Sequence, residues 1–91
     1  MHSATHQAIA TVWRIESAKI VGAVARMVRD IGLAEELAQD ALVSALEHWP
    51  ASGVPDNPGA WLMAAAKNKA LDRIRREKSL QGKLEQVGHD M

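Results

Sequence analysis

The chain has 91 residues, 47% of them hydrophobic, with three Trp as its only aromatic residues and no Cys. That length supports one small core and not two domains. The absence of Cys removes any disulfide framework or zinc knuckle, and an apolar content made mostly of Ala, Leu, Val and Ile favours packed helices over a sheet sandwich. The net charge of +0 conceals a segregation of sign. Up to Arg29, Arg14, Lys19, Arg26 and Arg29 outweigh Glu16 by +3; from Asp30 to Ala66 only acids occur (Asp30, Glu35, Glu36, Asp40, Glu47 and Asp56, −6); from Lys67 onward the balance is again +3. An acidic middle and a basic end suggest two partners of opposite charge.

The opening residues carry no basic start followed by an apolar run, and nowhere do about 18 apolar residues stand together, so a cytoplasmic location is expected, with no membrane partner. A short helix is expected around His6 to Glu16. After Ser17, the residues Ile20, Val24, Met27, Val28 and Ile31 recur at helical spacing, and Gly32 suits the left-handed cap that would end that helix. A further helix is expected from near Leu33, with Leu37, Ala38, Ala41, Leu42, Ala45, Leu46 and Trp49 on its apolar side. Glu36, Gln39, Asp40, Val43 and Glu47 share the opposite side.

Two prolines and a glycine predict a loop over Pro50 to Asp56. Asn57 followed by Pro58 is an N-cap with proline at the first helical position. The last helix is expected to run to about Lys78, burying Leu62, Ala66, Ala70 and Ile74 and turning basic toward its end. Residues 1–78 then form one domain, and 79–91 a linker or frayed tail, because Gly82 and Gly88 weaken the helical pattern. The fold class is therefore all-α, a compact bundle of three to four helices.

Catalytic and metal signatures are lacking. The histidines are scattered, the one i, i+4 pair being His2 and His6 at the terminus, and Glu35, Glu36 and Asp40 have no Glu-x-x-His partner with which to build a di-metal site. There is no glycine-rich phosphate loop and no nucleophile elbow. No enzymatic activity, cofactor or small-molecule substrate is expected. Two surfaces remain. Glu36, Asp40 and Glu47 form an acidic ridge around Val43, suited to a basic partner helix. On the last helix Lys69, Arg73 and Arg76 fall on one side, with Trp61, Asn68 and Arg75 on an adjacent one, supplying phosphate contacts, a base-reading amide and a stacking plane. Trp61 could equally be a core residue, and Asn68 could satisfy neighbouring backbone.

The segments Leu33-Ala34-Glu35-Glu36-Leu37-Ala38-Gln39-Asp40-Ala41 and Trp61-Leu62-Met63-Ala64-Ala65-Ala66-Lys67-Asn68-Lys69-Ala70-Leu71-Asp72-Arg73-Ile74-Arg75-Arg76, joined by a Pro/Gly-rich loop, resemble region two of extracytoplasmic-function (ECF) sigma factors of the sigma-70 family, over about Val12 to Glu77. The resemblance implies a role in transcription initiation. Glu36, Gln39, Asp40 and their neighbours would bind the β′ clamp helices of RNA polymerase core. The loop from about Pro50 to Asn57 (Ser52, Gly53, Val54, Asp56 and Asn57) and Asn68 would hold a flipped base of the non-template strand in the promoter minus-ten element, with Arg73, Arg75 and Arg76 gripping the backbone nearby. An anti-sigma factor is a further expected partner.

The sequence departs from the family pattern in lacking Phe and Tyr and in carrying Leu42 where Phe is frequent. Nothing after Lys78 matches the region-four helix-turn-helix, so a piece of a longer sigma factor is expected. The alternative is a helical protein–protein interaction module without nucleic-acid function. A small helix-turn-helix repressor is disfavoured, because about eight Pro-rich residues separate the last two helices where such motifs use a turn of three or four.

Overall fold

A computed structural model describes residues 3–90. It consists of three helices, α1 (Ser3–Val28), α2 (Ile31–Ser52) and α3 (Pro58–Asp90), each packed against the other two. The all-α bundle read from the sequence is thus the observed fold, with three helices rather than four. Among the described residues no helix is long and apolar enough to cross a membrane. The His2–His6 pairing lies outside the described residues.

The separate helix expected over His6–Glu16 is the first half of a single helix. Ile9, Ile20 and Val24 are buried along α1, with Val12 and Trp13 packed against the core, and Ser17 sits half-buried in mid-helix. The apolar pattern on either side of Ser17 shares one face, and a single serine does not break a helix supported by packing on that face.

The boundary between α1 and α2 is also not where Gly32 suggests. Arg29 adopts the left-handed conformation (φ 59°) and its N–H donates to Ala25 O at 2.7 Å. Asp30 then turns extended (φ −151°, ψ 112°) and its carboxylate accepts from Leu33 N at 3.1 Å. The carboxylate thereby satisfies one of the donors that every helix start leaves open. Asp30, not glycine, sets the junction, and Gly32 falls in the first turn of α2.

At the other end α2 continues through Pro50 to Ser52, shortening the expected loop to Gly53–Asn57. Proline's fixed φ is compatible with a helix, and in the last turn its missing N–H removes a single bond. The stop comes at Gly53 (φ 93°, ψ 158°), a conformation that side chains disfavour, and its N–H donates to Trp49 O at 2.8 Å. Asn57 caps α3 as expected, its Oδ1 accepting from Ala60 N at 3.1 Å. Close to this start, Gly59 lies against α1: a Cβ there would stand 2.9 Å from Glu16 Cδ. The Glu16 carboxylate is thereby held at the positive end of α3.

α3 does not fray at Lys78 but runs to Asp90. Two glycines cost about 1 kcal/mol each, and the intervening Leu, Gln, Lys and Glu are good helix formers, aided by Gln81 Nε2 donating to Glu85 Oε1 at 3.2 Å. At about 50 Å this helix outruns the other two, and Leu80, Leu84 and Val87 are 58%, 63% and 57% exposed along the overhang.

The core consists of Ile9, Ile20 and Val24 from α1, Ala34, Leu37, Ala38, Ala41, Ala45 and Trp49 from α2, and Leu62, Ala66 and Ala70 from α3. Ile74 and Leu42, expected inside, are half-buried, and Leu46 is exposed.

Three substitutions test this arrangement. Asp30→Ala should lower unfolding free energy by about 1 kcal/mol, whereas Arg29→Gly should raise it by about 0.5–1 kcal/mol by relieving the left-handed arginine; urea unfolding midpoints measure both. Ala41→Leu should cost about 1–3 kcal/mol, because helix–helix contact there leaves no room for a longer side chain, and the same titration reads it.

Candidate functional site

The face of α2 turned away from the core carries Glu36, Asp40, Val43 and Glu47 within about 60° of arc. All four are exposed. Val43, 48% exposed, gives this acidic face an apolar centre. Gln39 stands on the flank toward α1, where it lines a groove with Trp13, Ile31 and Glu35. Asp40 stands on the opposite flank. It shares a cleft of about 180 Å³ with Leu37 and, from α3, Lys69, Asp72, Arg73 and Arg76. The acidic ridge and the basic helix, separate in sequence, therefore meet along one edge of the α2–α3 interface, and Asp40 marks the border.

Beside that cleft lies a second groove of about 350 Å³, lined by Ser44 and His48 of α2 and by Trp61, Ala65, Asn68, Lys69 and Asp72 of α3. The α2 side is organised by a run of side chains bonded back onto their own helix. Ser44 Oγ donates to Asp40 O at 3.2 Å, His48 Nδ1 donates to Ser44 O at 2.7 Å, and Ser52 Oγ donates to His48 O at 2.9 Å. Residues four apart lie on one side of a helix, so the bonds line up along the edge facing α3.

The α3 side begins with Trp61. Half-buried, its ring meets the buried Trp49 ring edge-on (centroids 5.3 Å apart, 73°) and tilts against His48 (6.4 Å, 50°). Trp49 belongs to the core beneath it, 1% exposed, and its Nε1 has no hydrogen-bond partner. Trp61 thus joins the two readings left open by the sequence: one part packs on the core through Trp49, and another part faces the groove. Asn68, two turns further along, is exposed.

The basic residues divide by position. Lys69 and Arg73 are half-buried at the cleft, Arg75 is fully outward beyond Asn68, and Arg76 forms an ion pair with Asp72 at 2.6 Å. Both members of that pair are exposed, so its contribution to stability is small. Both residues also line the cleft that Asp40 shares with α3.

The five residues expected to form a capture loop do not line this groove but adjoin its Trp61 end, where Ser52 Oγ donates to His48 O at 2.9 Å and Asn57 O accepts from Trp61 N at 3.1 Å. Ser52 belongs to α2, and Asn57 uses its side chain to cap α3. Gly53, Val54 and Asp56 lie in the connection, and eleven residues of helix, about 16 Å, separate Asn57 from Asn68. His48 is a further groove residue, and its signal in the sequence is the run Asp40, Ser44, His48 at successive steps of four. Among the described residues no group of three His, Cys, Asp or Glu could hold a metal.

Comparison with known proteins places this geometry in a family. Residues 13–80 match the Sigma-70 region 2 family model. The chain is 42% identical over 57 residues (63% of this chain, 14% of the relative) to an uncharacterized protein of Rhizobium meliloti (strain 1021). It is 34% identical over 76 residues (79% and 38%) to the ECF RNA polymerase sigma factor SigK of Mycobacterium sp. (strain KMS). Over 70 residues (77% and 23%) it is 36% identical to the probable ECF RNA polymerase sigma factor SigI of Mycobacterium tuberculosis (strain ATCC 25618 / H37Rv). The matches span between 14% and 38% of the lengths of these relatives. No solved structure matches. The acidic α2 face, the basic α3 and the family match over three quarters of the sequence lead to one assignment: the chain belongs to the sigma-70 region 2 family, as a region-two domain of the ECF type.

Proposed function

We propose that the chain is the part of an RNA polymerase sigma factor that docks on the polymerase and holds the melted promoter minus-ten element. The observation that carries this reading is the common edge of α2 and α3. An acidic face with an apolar centre (Glu36, Asp40, Val43, Glu47) lies directly beside a groove that combines a stacking ring, an amide and cations (Trp61, Asn68, Lys69). The names of the mycobacterial relatives support the polymerase role.

The acidic face would engage the basic β′ clamp helices, Gln39 contacting them from its flank, with Val43 excluding water at the centre of the contact. An unpaired base of the non-template strand would enter the groove, stack on the exposed part of Trp61 and bond to Asn68. Stacking on an aromatic ring yields about 1–3 kcal/mol per base, comparable with the few kcal/mol needed to unstack it. Lys69, Arg73, Arg75 and Arg76 would neutralise the flanking phosphates. Gly53, Val54 and Asp56, some way along the helix axis, would meet a neighbouring nucleotide rather than the same base. The action is binding to one state of DNA, with no covalent step, in the compartment where the polymerase works.

Charge reversal of Glu36 and Asp40 to Lys should weaken binding to a β′ clamp-helix fragment by roughly tenfold or more while leaving helical circular dichroism unchanged. Unchanged affinity in the reversed variant would remove α2 as the docking face. For DNA, Asn68→Ala should weaken binding of a single-stranded minus-ten oligonucleotide without altering its salt dependence. Arg75→Ala should reduce the slope of log K against log salt by about 0.7, one phosphate contact. Equal slopes for the two variants would refute this division between base and backbone contacts.

A further inference from the structure

The proposed DNA groove contains one residue whose hydrogen-bonding character is fixed by the fold. His48 Nδ1 stands 2.7 Å from Ser44 O. A carbonyl oxygen can only accept, so Nδ1 carries the proton, and in the neutral ring Nε2 is left as a bare acceptor. The same ring leans on Trp61 at 6.4 Å, beside the surface on which a base would stack. Ser52 Oγ bonds to the His48 carbonyl at 2.9 Å and reinforces this turn of α2.

The other polar groups along the groove are less able to choose between bases. Lys69 only donates, Asp72 holds Arg76 through Oδ2 at 2.6 Å on the exposed rim, and the Asn68 amide can both donate and accept. His48 Nε2 is the acceptor of this groove that is set beside the Trp61 ring, where a base would stack. We propose that His48 is a specificity-determining residue of this groove, its Nε2 accepting a hydrogen bond from the exocyclic amino group of the captured base and so favouring an amino-bearing base over thymine. The inference rests on the reading of the α2–α3 groove as the site that takes an unpaired base.

The test uses the full chain and oligothymidylate pentamers whose central base is thymine or 5-methylcytosine. These bases share size and methyl group and differ at the ring edge that carries the amino group. Fluorescence anisotropy of the wild type at about pH 8 should show about a fivefold preference for 5-methylcytosine. His48→Phe, which keeps a ring against Trp61, should bind the two pentamers alike, and His48→Gln, whose amide oxygen can accept, should restore part of the preference. A preference that persists unchanged in His48→Phe overturns the role of His48 while leaving the groove reading intact. Failure of the wild type to bind either pentamer overturns the groove reading and the inference together.

Discussion

Close approach of α2 to both neighbours through alanine is the constraint on which the rest of the structure depends. Ala34, Ala38, Ala41 and Ala45 are fully buried along one side of α2, and Ala66 and Ala70 along α3. Small side chains let helix axes come near, and the short distance leaves few places for anything larger. Trp49 fills the widest of them. No polar or charged residue among those described is buried, so every charge is displaced to the rims. The two rims of α2 toward its neighbours are where Gln39, Asp40, Ser44 and His48 emerge.

That displacement explains how segregated charge becomes a working surface. Along the sequence the acids of α2 and the bases of α3 are separated by the Gly53–Asn57 connection, yet close packing sets them on adjoining edges. Asp40 shares a cleft of about 180 Å³ with Lys69 and Arg73, so the acidic face of α2 and the basic side of α3 meet at its carboxylate. The groove lined by His48, Trp61 and Asn68 lies one turn further along the same edge. Docking and strand capture would then share a rigid pair of helices, and a shift of one helix against the other would disturb both.

Much of this was legible in the residues. Asn57-Pro58 declared the start of α3, the periodicity of Leu37, Ala38, Ala41 and Ala45 declared the buried side of α2, and the sign of charge along the chain declared two surfaces. What escaped has physical reasons. A left-handed arginine has no sequence signature, so Gly32 was the natural but mistaken stop, and Asp30 carried the junction instead. Pro50 was read as a breaker because its cost depends on distance from the helix end, which the helix end at Gly53 decides. His48 has no paired ligand along the sequence, and its bond to Ser44 O exists only once α2 is built. The separation of the loop from Asn68 is likewise a matter of helical rise, not of sequence spacing.

The most direct measurement is site-specific photo-cross-linking from Val43 and from Asn68 in a mixture of the chain, core RNA polymerase and single-stranded minus-ten DNA. A photoreactive residue at position 43 should label the polymerase β′ subunit and one at position 68 should label the DNA, in the same complex. Labelling of DNA from position 43, or of polymerase alone from both positions, would contradict the assignment of two partners to two adjoining edges.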